Sequence, residues 1–139
     1  MTFGDLLEQL DIVPKPGGRD IRVYYGGPVE GSRGFVLHSA DYASEGATMP
    51  VDDGVHLTAT LDVLEARAQG EGPTSSLLAL GYSGWGPGQL EGEIMQNGWL
   101  TCAARSDIVF GRANEHKWSA AMKSLGIDPL LLSGEAGNA

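Results

Sequence analysis

An α+β fold is what the sequence predicts, and three observations predict it. Apolar residues recur with helical period near both ends of the chain, at Phe3, Leu6, Leu7 and Leu10 and at Trp118, Ala121, Met122 and Leu125. Short β-rich runs lie between them, Ile21 to Tyr25 and Leu77 to Leu80 among them. The two kinds of segment do not alternate strictly, which argues against a purely parallel βαβ sheet. At 139 residues and 42% hydrophobic content, the chain suits one domain with a substantial core. A single domain over 1–132 and a flexible tail over 133–139 are therefore expected.

In chain order, Thr2 to Asp11 reads as a helix, with Thr2 as N-cap and Asp5 three residues on. Pro14, Pro16, Gly17 and Gly18 end it. Ile21 to Tyr25 reads as a strand. The glycine-rich stretch Gly26 to Gly34 lacks the Lys-Ser/Thr pair of a phosphate loop and reads as a turn between strands. Arg33 is its one base, suited to a surface ion pair or to an anion contact. Phe35 to His38 is a short strand, Ala40 to Asp53 a polar loop, and Val55 to Thr58 a strand. A helix capped by Thr60 or Asp62 runs to about Gln69, with Leu61, Leu64 and Ala68 on one face and Gly70 just past its end.

Leu77 to Leu80 leads into the stretch that organises the chain, Gly81-Tyr82-Ser83-Gly84-Trp85-Gly86-Pro87-Gly88-Gln89-Leu90-Glu91-Gly92-Glu93-Ile94. Alternating glycines around Pro87 predict a shaped loop, since glycine serves where φ is positive or backbones come close, and proline fixes φ. Gly88 is placed to cap the next helix, with Glu91 at N3 able to complete a capping box. That helix runs to about Asn97 and buries Leu90 and Ile94. Trp85 and Tyr82 either pack the loop onto the core or present aromatic surface for binding. After an Asn97-Gly98 turn, Trp99 to Cys102 and Asp107 to Phe110 read as strands. Asn114 caps a last helix that ends at Gly126, with Trp118 and Met122 in the core, and Asp128 to Leu132 forms a short helical turn.

Composition narrows the function classes. Eighteen acids against nine bases give a formal charge of −9, and the bases are scattered. Affinity for nucleic acid comes largely from neutralising phosphates, so the charge argues against nucleic acid as a partner. One cysteine, Cys102, excludes an internal disulfide and fits a reducing compartment. The N-terminal stretch has no basic-then-apolar signal pattern, and no apolar run approaches membrane-spanning length, so a soluble cytoplasmic protein is expected. His38, His56 and His116 stand far apart and Cys102 is alone, so neither a metal nor a cofactor is expected. Cys102 is either a small buried hydrophobe or a reactive thiol. Gly81-Tyr82-Ser83-Gly84-Trp85 lacks the second glycine of a nucleophile elbow, which leaves no triad and no catalytic residues.

The stretch from Gly81 to Ile94 resembles the central signature of the AlgH/YqgE family of bacterial proteins. So do Tyr25-Gly26-Gly27-Pro28-Val29, Arg33-Gly34-Phe35-Val36-Leu37-His38, Asn97-Gly98-Trp99-Leu100, Ile108-Val109-Phe110, Lys117-Trp118 and Leu125-Gly126-Ile127-Asp128. The resemblance spans almost the whole chain. It implies a branched mixed β-sheet with a small barrel-like part, flanked by helices, and no established enzymatic activity. One branch of the family is named for a proposed role in regulating alginate synthesis. The counterpart of Ser83 is often alanine there, which suits no nucleophile. Family members begin further upstream, with strands that carry a Pro-x-Met-x-Asp-like and a Gly-Ala-x-Gly-Leu segment. Without them a sheet edge would be unpaired, which predicts lower stability or self-association. The functional expectation is a non-enzymatic interaction or regulatory module with a protein partner. Its candidate contact residues are Tyr82, Trp85, Gly86, Gln89, Glu91, Gly27 and Arg33. A DNA-linked transcriptional regulator and a small-molecule or redox sensor using Cys102 are the alternatives.

Overall fold

A computed structural model describes residues 1–131, and the expected tail over 133–139 lies outside that range. The chain divides into two compact units, Met1–Ser83 and the part from Gly84 onward. The first holds helices α1 (Phe3–Gln9) and α2 (Asp62–Ala68) and strands β1 (Arg22–Tyr25), β2 (Val29–His38), β3 (Thr48–Asp52), β4 (Val55–Thr58) and β5 (Ser76–Tyr82). The second holds α3 (Gln89–Met95), α4 (Ser106–Val109), α5 (Asn114–Ser124) and a 3-10 turn at Pro129–Leu131. The α+β class is borne out.

The strands form one mixed sheet in the order β1-β5-β2-β4-β3. Only β1 and β5 run parallel; the other pairs are antiparallel. The order is linear, with β1 and β3 as edges, so the sheet is open and not closed into the barrel-like part that the family resemblance implied. Strand β5 is interior, and its Leu78 pairs with Val23 on one side and Val36 on the other. Leu78, Leu80, Val36 and Ile21 join Phe3 and Leu7 of α1 and Val63, Leu64 and Ala68 of α2 in one apolar cluster. Each full burial of a side chain this size contributes roughly 1.5–3 kcal/mol, which stabilises helices that are only seven residues long and would be marginal alone.

Local chemistry explains where the helices start and stop. Thr2 and Asp5 make a reciprocal capping box, and the Thr2 amide holds the Asp5 carboxyl below its ordinary value. Helices α1, α2, α3 and α5 all end in the same paired pattern, in which two amides past the cap return to carbonyls of the last turn. The residue that turns left-handed is Asp11, Gly70, Asn97 or Gly126 respectively. Gly70 and Gly126 stand where the sequence placed them.

Several expectations are corrected. Thr48 to Asp52, read as loop, is edge strand β3; Pro50 is tolerated because only β4 pairs with it. The turn expected over 26–34 is largely strand, since β2 begins at Val29 and absorbs the glycines in a register shift between Val29 and Gly34. Trp99 to Cys102 is not a strand, and Asp107 to Phe110 is mostly helix α4. The caps of α2 and α5 are Leu61 and Ala113, without side-chain hydrogen bonds, in place of Thr60 or Asp62 and Asn114. Leu61 is exposed, and Arg67 is buried in its stead. In the second unit Met122 is buried as expected, but Trp118 is 58% exposed, and no residue of α3 is buried, Leu90 and Ile94 included.

Buried Arg67 ties the first unit together. Its guanidinium donates to the carbonyls of Pro73, at 2.9 Å, and Asp20, so the end of α2 is pinned to the loop before β5 and to the approach to β1.

Candidate functional site

Three of the candidate residues lie in the first unit. Gly27 follows β1 at a junction where the backbone after β1 crosses the end of β5. A Cβ on Gly27 would stand 2.3 Å from the Tyr82 carbonyl carbon, one on Gly26 2.3 Å from the Gly81 oxygen, and one on Gly81 2.5 Å from the Gly27 oxygen. Glycine is required here by close approach, so Gly27 shapes the sheet. Around the junction, the Tyr82 hydroxyl donates to Glu30 Oε2 at 2.6 Å, and Arg33 lies 3.5 Å from the same oxygen. The Arg33 guanidinium also covers the Phe35 ring at 5.3 Å, and Phe35 meets Tyr82 edge-to-face. Tyr82 and Glu30 shift one another in opposite directions: the hydroxyl lowers the Glu30 carboxyl and the carboxylate raises the Tyr82 phenol. Arg33 is thus engaged in the surface ion pair that was one of its two expected uses.

The remaining candidates lie in the second unit. The Gly86 amide donates to Gln89 Oε1 at 3.0 Å, closing the loop on the first residue of α3. Gly88 caps that helix in a left-handed conformation, φ 74°. No side-chain cap bond accompanies it, so Glu91, exposed on α3, does not complete the capping box expected of it. Trp85 is 38% exposed. Cys102 is exposed, which removes its reading as a buried hydrophobe.

Trp99, which sequence reasoning did not select, and Glu93 complete the neighbourhood of Trp85. At the end of α3, Asn97 turns left-handed at φ 60°, and the Gly98 amide returns to the Glu93 carbonyl at 2.8 Å. The chain folds back so tightly that a Cβ on Gly98 would lie 3.1 Å from that carbonyl oxygen. This reversal places Trp99 beside Glu93, and the Trp99 Nε1–H donates to Glu93 Oε1 at 3.2 Å. The Trp99 ring then meets Trp85 with centroids 5.8 Å apart and planes at 79°. The two indoles, 38% and 49% exposed, thus meet nearly at right angles, and Trp99 binds one carboxylate. The visible signal was the Asn97-Gly98 turn, but reading Trp99 as a strand residue hid its consequence.

A buried polar chain in the first unit also escaped the sequence. His38 is fully buried. Its Nδ1 lies 2.7 Å from the Ser39 carbonyl, which can only accept, so Nδ1 carries the proton and Nε2 accepts from Thr58 Oγ1 at 2.7 Å. Thr58 in turn accepts from Thr48 Oγ1 at 2.8 Å, and Thr48 from the Ser44 amide at 2.7 Å. That tautomer sets the direction of both hydroxyls, and protonating Nε2 reverses them. Burial lowers the His38 pKa below its ordinary 6.5, the neighbouring His56 lowers it further, and the Ser39 carbonyl and Asp41 oppose the shift. Asp41 itself is held at about 2 by the Ser39 and Thr74 hydroxyls. A group whose folded pKa is depressed stabilises fully above its unfolded value and loses that contribution as pH falls. Thermal unfolding followed from pH 8 to pH 5 should therefore show stability falling below about pH 6.5. A His56→Gln variant should keep the fall, and a flat profile would contradict the buried neutral assignment.

Among the described residues no three His, Cys, Asp or Glu side chains group so as to hold a metal, and no helix is long and apolar enough to cross a membrane. A shallow hollow in the second unit, lined by Ser119, Lys123, Ile127 and Asp128 among others, includes none of the candidate residues.

Comparison with known proteins agrees with this architecture. A UPF0301 protein of Cereibacter sphaeroides is 57% identical over 139 residues, covering all of this chain and 76% of the relative. Another from Afipia carboxidovorans is 56% identical over 146 residues, covering all of this chain and 70% of the relative. The solution structure of the AlgH protein from Pseudomonas aeruginosa superposes with a TM-score of 0.73 at 39% identity, over 96% of this chain and 72% of that one. A crystal structure of a Corynebacterium diphtheriae protein, 22% identical with a TM-score of 0.59, shares the fold over 87% of this chain and 62% of its own. A family profile described as AlgH-like matches residues 1–130, and with these relatives it shows that the chain belongs to the AlgH-like family.

Proposed function

We propose that the chain is a non-enzymatic interaction or regulatory module, and that it meets its protein partner through the corner formed by Trp85 and Trp99. The supporting observation is the pair itself. Two large aromatics are held at 79° on short, hydrogen-bonded loops, and both keep a third or more of their surface in solvent. Rigid, partly exposed tryptophans offer large contact area at small ordering cost, which is why they are enriched among residues that dominate interfaces. The chain's charge of −9 disfavours a DNA-linked role. A redox role for Cys102 draws support from exposure alone. A cytoplasmic location belongs to the proposal and is supported by the single cysteine.

Affinity capture tests it, with wild type compared with Trp85→Ala after both are shown to be folded. The captured protein is then purified and its affinity for each chain measured. Loss of a central interface tryptophan typically costs about 2 kcal/mol or more, so affinity should fall at least about thirtyfold. Equal affinity for both chains would refute the assignment.

A further inference from the structure

We propose that the Trp85–Trp99 corner is an arginine-binding site, in which the two indole faces and the Glu93 carboxylate receive a guanidinium from the partner protein. The inference rests on the interaction reading above and names the chemistry recognised. Three observations lead to it. First, the rings stand at 79° with centroids 5.8 Å apart, which leaves a corner walled by π surface. A cation within about 6 Å of an indole face is attracted by the ring quadrupole, and arginine adds planar stacking. Second, Glu93 adjoins the corner. Its Oε1 accepts from Trp99 Nε1, while its Oε2 is buried and has no hydrogen-bond partner among the described residues. A buried acceptor without a donor is costly, and a guanidinium N–H supplies the donor. Third, the segment that builds the corner carries charge of one sign. Gly84 to Ala104 contains Glu91 and Glu93 and no Lys, Arg or His. The next base, Arg105, is already engaged by Asp107, with Nη2 to Oδ2 at 2.9 Å.

The probe is Nα-acetyl-arginine amide, titrated at constant ionic strength into 15N-labelled protein while the indole Nε1–H resonances are followed. Nα-acetyl-citrulline amide is the neutral control of the same shape. The resonances of Trp85 and Trp99 should move saturably with arginine, with half-saturation on the order of tens of millimolar. Trp118 should stay still, and citrulline should move none of them. Glu93→Gln should weaken the response about fivefold, and it changes too little volume to unfold the loop. No saturable shift, or equal shifts with citrulline, would overturn the arginine site. If arginine fails while partner affinity still depends on Trp85, the cation inference falls and the interaction surface stands. If partner affinity ignores Trp85, the interaction reading falls whatever arginine does.

Discussion

Gly27→Ala should destabilise the Met1–Ser83 unit by roughly 3 kcal/mol or more, read as a shift of the denaturant midpoint at constant slope. The added Cβ would meet three backbone atoms at once, the Tyr82 carbonyl carbon at 2.3 Å, its oxygen at 2.4 Å and the Ser83 nitrogen at 2.7 Å. No side chain can rotate out of the way, so the strand ends themselves must part. The entropy lost by the unfolded chain on a glycine-to-alanine change favours the variant by only about 0.4–1 kcal/mol. Gly31→Ala is the matched control. Nothing lies within 4 Å of its Cβ position, and its effect should stay within about 0.5 kcal/mol. Equal effects at the two positions would contradict the crossing of the chain after β1 over the end of β5.

Leu78→Ala should cost between about 2 and 5 kcal/mol, the range for emptying a well-packed leucine site. Leu78 is 1% exposed, lies on interior strand β5 between Val23 and Val36, and belongs to the cluster that α1 and α2 cover. Its neighbours are fixed on both sides by ladder hydrogen bonds, which limits how far the cavity can collapse. Leu61→Ala, at a position 49% exposed, should change stability by less than about 0.5 kcal/mol. A mild effect at Leu78 would mean that β5 is not the interior strand packed under α1 and α2.

What the sequence made legible was local. The Thr2–Asp5 cap, the left-handed glycines at 70 and 126, and the apolar run Leu77 to Leu80 carry their signals within a few residues, and each stands where it was read. What it hid depended on partners far along the chain. Asp107-Ile108-Val109-Phe110 is a short apolar run, and such runs fit helix or strand equally well until packing decides. Thr48 to Asp52 contains Pro50, which argues against a strand unless the strand is an edge, and that is a property of the sheet. Trp118 sits on a regular helical stripe, yet a stripe does not say what, if anything, covers it.

The candidate site divided in the same way. The Gly86–Gln89 bond spans only three residues, but both residues were selected as partner contacts and not for that bond. The meeting of Trp99 with Glu93 was not legible, because it requires the reversal at Asn97-Gly98. The His38–Thr58–Thr48 chain was invisible because it needs the register of three strands.

The most direct test of the central claim is hydrogen–deuterium exchange across the whole chain, with and without the partner recovered by capture. An interface at the tryptophan corner predicts slowed exchange at amides from Trp85 to Leu100, with the Glu30–Arg33 and Tyr82 region unchanged. Protection confined to Glu30, Arg33 and Tyr82, with none between Trp85 and Leu100, would contradict it and move the contact surface to the end of the sheet.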